Sequence, residues 1–353
     1  MQVMGVFSAI GSFLGSIWPY LVAILLFLFM IFIHELGHFI AAKLMGVKVN
    51  EFAIGFGPTL FKKQGKETLY AVRAVPFGGF CAMEGEEETS SDSRAFCNKK
   101  AWKRLIIIVA GAFMNLLLGL VLVMFTLAPA DRYITTTVHS FKEASVSQQS
   151  GLMAGDKIVE INGRSIYSVN DLNYCLSNVE GDTLKMVVER DGVEKPLDVK
   201  FNAKVIDGIN YVDVDFYMDV EDKTVGSFIR QSFTRTVSYG RTVWFSLIDL
   251  ITGKFGISAM SGPVGMTAVI GSVARQGILD LLPLIALITI NLGVFNLLPI
   301  PALDGGRAFF ILIEMIIRRP IPQKFEGAVH AVALILLLGL IAVITIKDIV
   351  GFF

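Results

Sequence analysis

The chain has 353 residues, 54% of them hydrophobic and only 18% charged, with 31 basic and 31 acidic side chains and no net charge. Globular domains carry about a quarter charged residues, so this composition describes a polytopic membrane protein. The zero balance provides no basic surface for nucleic acid and no preference for a polyanionic partner.

Residues 1–45 comprise an N-terminal segment and a first transmembrane helix. No Lys, Arg, Asp or Glu precedes Glu35, and the first cation is Lys43. Without a basic leader the first apolar run is expected to stay as an anchor. From Trp18-Pro19 to Lys43 it is long enough to cross a bilayer at 1.5 Å per residue, about 30 Å for twenty residues. Near its end stands His34-Glu35-Leu36-Gly37-His38. Histidines four apart on a helix point the same way and can share one divalent metal, while the Glu between them is placed to take a proton from an attacking water. Ionisable groups inside a span are costly and mark function by default.

Residues 46–104 form a cytoplasmic-side hairpin region and loop. Alternating apolar residues from Val47 to Phe56, the turn Gly55-Phe56-Gly57-Pro58, and a second alternating run from Thr68 to Val75 predict a small sheet beside the metal helix that dips into the membrane. A strand edge there offers a place for an unwound substrate segment to pair, and Val72, Arg73, Ala74 and Val75, or a neighbouring strand, are expected to supply it. The acidic run Glu84 to Glu88 reads as a solvated loop. Cys81, Cys97 and Cys175 have no C-x-x-C spacing and define neither a disulfide framework nor a zinc knuckle. Eleven Lys and Arg lie between residues 43 and 104, so this loop is expected to face the cytoplasm, with the N-terminus outside.

A second transmembrane helix is expected over 105–128. Within it Gly111 and Asn115 pair a small residue with an amide, either as packing glue or as part of the site. Composition then changes to that of a soluble, extracytoplasmic domain over 130–205. Its Gly151-Leu152, Gly155-Asp156 and Ile161-Asn162-Gly163 resemble the fingerprint of a bacterial PDZ domain. Residues 206–278 read as an extracytoplasmic connector. It includes a strand pair around Val212 to Tyr217, an amphipathic helix over Val225 to Ile251 and a loop at Ser261 to Gly265.

The third transmembrane helix is placed at 279–303 and is broken near its cytoplasmic end by Pro299, Pro301 and glycines. Asp304 follows, on the same side as His34 and His38, and is the expected third metal ligand; an isolated Asp here would equally well cap a following helix, Arg307 to Ile317. Residues 304–327 hold this motif and a cytoplasmic-side helix, and a fourth span occupies 328–350. By this topology His139 and His330 lie away from the site and make ordinary polar contacts.

The chain as a whole resembles the site-2 proteases, intramembrane zinc metalloproteases, and in particular bacterial members with one PDZ domain between the second and third spans. The resemblance rests on the histidine motif, Gly55 to Pro58, Val75 to Phe80, Gly111 with Asn115, Ser261 to Gly265 and Asn291 to Gly306, with Leu303-Asp304-Gly305 its most specific part. It implies a polytopic α-helical membrane protein of about four transmembrane helices, with a membrane-associated β-hairpin and an inserted α+β PDZ domain. It implies Zn2+ held by His34, His38 and Asp304, Glu35 as general base, and Asn291 and Asn296 holding the substrate backbone. An amide from Asn296, or less directly Asn115, is in a position to stabilise the oxyanion. The implied substrates are single-span membrane proteins already trimmed outside by a site-1-type protease, such as anti-sigma factors and remnant signal peptides, in the lipid of a bacterial cytoplasmic membrane. Two other readings are a membrane PDZ scaffold with a structural metal, which would want four protein ligands, and a membrane zinc protease of soluble or misfolded proteins, which would want a Glu ligand on a nearby helix.

Overall fold

A computed structural model describes residues 2–351, apart from 87, 178, 180, 207–208, 255–259 and 278. Glu87 of the acidic run and the gaps within the 206–278 connector thus lie outside the described residues. The chain divides into two compact units, one of residues 1–122 and 249–353 and the other of 123–248.

In the first unit α1 (Gln2–Leu44) is continuous, and its segment Tyr20–Leu44 is apolar and long enough to span a bilayer. So are α2 (Ala101–Leu127) and, later, α9 (Gln323–Gly351). The expected third span is shorter. Helix α7 (Leu281–Leu297) has 17 residues and stops where Leu298 turns extended before Pro299, since the residue before a proline is driven out of the helical region. Residues 298–303 are therefore a loop rather than the end of a helix.

Between α1 and α2 run β1 (Val49–Gln64) and β2 (Leu69–Met83), both bent so that the hairpin folds over itself. The first half of β1 pairs with residues 79–83, from Val49 opposite Met83 to Ile54 opposite Gly79, and its second half pairs with the start of β2. Residues 69–72 consequently have partners on both sides. Val72 is opposite both Ile54 and Phe61, Arg73 is opposite Thr59, and Val75 is opposite Phe56. Of the expected 72–75 stretch, Val72 has strand partners on both sides, whereas Arg73 and Val75 have one each. Residues 79–83 form one outer edge and residues 61–64 another, each with strand partners on one side only among the described residues.

Two apolar clusters organise the unit. Val22, Ala23 and Met30 of α1 pack with Ile270, Leu281 and Ile285. Further along α1, Ala41 and Ala42 pack with Phe52, Cys81, Ile107, Ile108 and Ile311. His34 and His38 fall between the two clusters. The expected loop at Ser261 to Gly265 is instead the start of α6 (Pro263–Gln276), with Pro263 in the first turn, where its missing N–H costs nothing. Asp348 of α9 accepts hydrogen bonds from the Gly262 and Gly265 N–H groups at 2.8 and 2.9 Å, so this part of the connector belongs with the helices. Helix α8 (Asp304–Ile317) completes the unit.

The second unit contains a sheet of order β10-β3-β4-β6-β7, with β3 (Arg132–Phe141), β4 (Lys157–Ile161), β6 (Thr183–Arg190), β7 (Val193–Lys200) and β10 (Phe216–Asp222). A two-residue strand, β5 (Arg164–Ser165), pairs with β4. The Asn162-Gly163 and Asp191-Gly192 turns have positive φ throughout, the geometry of tight hairpins. Helices α3 (Val146–Gln149) and α4 (Val169–Leu176), the latter started by a Ser168 capping box, cover a core that includes Leu152, Ile158, Ile161, Leu172, Leu184 and Val188. Two boundaries change. Residues 212–217 do not pair among themselves: β9 (Ile209–Asp213) pairs with β8 (Asn202–Ile206), and β10 joins β3. The sheet therefore includes residues up to Asp222, past residue 205. Helix α5 (Val225–Ile251) matches its expected bounds and exposes Val225, Ile229, Phe233, Val237, Trp244 and Ile248 along one stripe.

Candidate metal centre

The apolar helix α1 carries His34 and His38 one turn apart, and both are buried. Their imidazoles face a close approach of α2. A side-chain carbon on Gly111 would lie 2.3 Å from His38 Nε2, and one on Gly37 would lie 2.4 Å from the Ala110 carbonyl, so the two glycines let the helices meet. His38 Nδ1 is 2.9 Å from the Ile107 carbonyl oxygen, which can only accept; the ring proton therefore sits on Nδ1 and Nε2 carries a lone pair. Asn115, fully buried, has its amide nitrogen Nδ2 3.1 Å from His34 Nδ1, while its Oδ1 has no partner. An amide oxygen and nitrogen exchange by a half turn, and with Oδ1 facing the ring Asn115 accepts from His34 Nδ1–H and frees Nε2 in the same way.

Asp304 opens α8, but no side-chain cap closes that helix. Its carboxylate points instead at the histidines, with Oδ2 2.9 Å from His34 Nε2 and 3.2 Å from His38 Nε2. The ligand atoms of His34, His38 and Asp304 all lie within 4.8 Å of one another. Three lone-pair atoms so close repel unless a cation or proton lies between them, and buried Asp304 Oδ2 makes no hydrogen bond of good geometry. Two neutral imidazoles and a carboxylate suit Zn2+ and leave a coordination position open.

Glu35, His38 and Asp304 line one cavity of about 690 Å³. The open strand edge forms its opposite wall: a side-chain carbon at Gly79 would lie 3.3 Å from Glu35 Cγ, and Phe80 to Met83 continue along the cavity. Val72, Arg73, Ala74 and Val75 are not part of this wall. Arg73 is held by Glu51 at 2.6 Å and lies over the Phe80 ring. Asn291 and Asn296 stand on α7; Asn296 is buried and Asn291 has a buried, unpartnered Oδ1, and neither lines the cavity.

Three features escaped the sequence reading. Glu86, placed in a solvated loop, lines the cavity and pairs with Arg307 of α8. In the same loop, hydrogen bonds from Asn50, Ser90 and Lys48 pull the Glu84 carboxyl down to about 2. His330 is not among the converging ligands, yet it is nearer than expected: its Nδ1 accepts from the Ala302 N–H at 2.9 Å, in the loop that delivers Asp304. His139 lies 3.6 Å from Asp219, an exposed polar contact as expected.

The family model described as peptidase family M50 matches residues 22–340. The chain belongs to peptidase family M50. This is the site-2 protease family, and the chain is a zinc metallopeptidase of the membrane. A Clostridium acetobutylicum relative that bears a provisional zinc metalloprotease name is 39% identical over 340 residues, covering 95% of this chain and 98% of its own. The zinc metalloprotease RasP of Geobacillus kaustophilus is 29% identical over 404 residues, covering 92% and 96%. RasP of Bacillus licheniformis is 30% identical over 424 residues, covering 92% and 97%.

Proposed function

We infer that the protein is an intramembrane endopeptidase that cuts the membrane segment of single-span substrates. The observation that carries this is the convergence of His34, His38 and Asp304 beside Glu35, with both histidines and Glu35 on an apolar spanning helix. His34 Nε2, His38 Nε2 and Asp304 Oδ2 would hold the Zn2+. The bound metal supplies Lewis acidity toward a water and the scissile carbonyl. Glu35 takes the proton of that water and delivers it to the leaving amine. Ile107 and Asn115 keep the two imidazole protons on Nδ1, away from the metal.

A helical substrate must unwind before its carbonyl is accessible. The 79–83 edge, rather than 72–75, receives it by strand pairing, because that edge has a free side and faces Glu35. On family likeness Asn291 and Asn296 contact the substrate backbone; the orphan Asn291 Oδ1 is an acceptor suited to a peptide N–H.

The Lys- and Arg-rich 43–104 segment supports a topology with the metal end of α1 at the cytoplasmic face of a bacterial cytoplasmic membrane and α7 as an additional, short spanning helix. The unit around 130–222 is then an extracytoplasmic PDZ domain. With the apolar stripe of α5, it admits only substrates already trimmed by a site-1-type protease, anti-sigma factors and remnant signal peptides among them.

The test is cleavage of a generic single-span substrate by wild type and Glu35→Gln, with zinc measured on both. Cleavage lost at least a thousandfold with zinc retained is expected, about 4 kcal/mol of barrier. Cleavage surviving the substitution, or an inactive wild type with full zinc, would refute the reading.

A further inference from the structure

A second cavity of about 700 Å³ adjoins the metal cavity, and the two share Glu86, Thr89, Ile108 and Arg307. It is walled by the loop after β2, the start of α2, helix α8 and the first turns of α9. The mechanism above makes no use of it.

Its wall is rich in ionisable groups and they are unevenly matched. Glu86 pairs with Arg307, and Glu314 pairs with Arg104. Glu326, at the start of α9, makes no close ion pair with a guanidinium among the described residues: Arg307 and Arg104 attract it only at longer range, and His330 Nε2 is 3.9 Å away, beyond hydrogen-bonding distance. Three carboxyl groups thus face two guanidinium groups, and Glu326 is the one without a guanidinium of its own. Two buried nitrogens on the same wall, Arg104 Nε and His330 Nε2, make no hydrogen bond. Buried polar atoms without partners are rare and point to a polar occupant. An occupant with a positive group for Glu326 and backbone polar groups for Arg104 and His330 is a peptide bearing Lys or Arg.

The function inferred above delivers such a peptide to this place. Membrane spans carry Lys and Arg just beyond their cytoplasmic end, and the metal lies at the end of α1 that borders the chain's own cationic segment. We propose that the second cavity is a subsite for the basic residue flanking the substrate's membrane segment, with Glu326 as its specificity-determining carboxylate. This rests on the intramembrane endopeptidase reading. The Glu86–Arg307 pair forms the partition between subsite and metal cavity, so the flanking chain lies along it while the apolar stretch meets the 79–83 edge.

The test uses the zinc-loaded full chain in detergent and three peptides with one apolar core, flanked by Lys-Lys, Gln-Gln or Glu-Glu. Wild type is expected to cut the Lys-flanked peptide with kcat/KM about tenfold above the Gln-flanked one, as for one charge-assisted contact. In Glu326→Gln that ratio falls to about one. In Glu326→Lys the Glu-flanked peptide becomes the preferred substrate. Because each ratio is read within one protein, loss of folded material does not affect it. Equal rates for Lys and Gln flanks in wild type, or a preference that survives Glu326→Gln, would overturn the subsite while leaving the protease reading intact. If wild type cuts none of the peptides, the protease reading fails, and the subsite is decided by Kd from fluorescence anisotropy: the same charge ranking supports it and equal Kd values overturn it.

Discussion

His34, Glu35, His38 and Asp304 show how far single residues can be read. The i, i+4 spacing on a charge-free helix defines a metal face before any fold is known. Asp304 needed the fold, because an Asp before a helix is also a common cap; in the structure it caps nothing and its carboxylate turns toward both imidazoles. Glu86 was not legible at all. A run of acidic residues reads as solvated, and only the tertiary approach of α8 gives Glu86 the Arg307 partner. Gly111 carries a prediction at this scale. Gly111→Ala would press a methyl group onto His38 Nε2 and His34 Cε1, at 2.3 and 2.9 Å. Zinc affinity, measured by chelator competition, should fall by about 10- to 100-fold, as when a group that orients a metal ligand is lost. Gly339→Ala, where an added carbon meets nothing within 4 Å, should leave it unchanged.

Among the elements, the long helices were legible as uncharged apolar runs of spanning length, and α5 by its amphipathic period, which fixes the exposed face. The hairpin was legible as two strands but not as a sheet folded over itself. Alternation says which face a side chain occupies, not which strand lies beside it, so the interior place of 69–72 and the open place of 79–83 had no signal. A photo-crosslinker at Phe80 should capture a single-span substrate, and one at Val72 should not; capture at Val72 alone would return the edge to the original stretch. The second unit has its own internal anchor. Asp156 is fully buried and bonded by Arg190 at 2.6 and 2.7 Å. Burial alone would raise its carboxyl, but the hydrogen bonds from Arg190 and Met153 outweigh this and hold it below the ordinary range. A lowered folded-state value means the stabilisation is complete above about pH 4 and is lost as pH falls through the folded value. The melting of this unit should therefore drop below pH 4. Asp156→Asn should cost about 3–5 kcal/mol at neutral pH, since it leaves a largely buried guanidinium unpaired. Hydrogen exchange across residues 132–200 measures both.

For the molecule as a whole, two units with separate cores suggest separate tasks. The sheet of the second unit closes only with β10, so a clean excision must remove 130–222 rather than stop at 205. If that unit screens substrates by size, the excised protein should cut untrimmed substrate that wild type refuses, in a side-by-side cleavage assay. Continued refusal would remove the screening role and leave the centre described here unaffected.

The origin of the three converging side chains also bears on biosynthesis. His34 and His38 belong to α1, and Asp304 is translated long after them. A nascent chain that ends before Asp304 has the two imidazoles but lacks the third converging side chain. On the proposed ligand set, proteolytic competence would arrive late in translation, after Asp304 has been made.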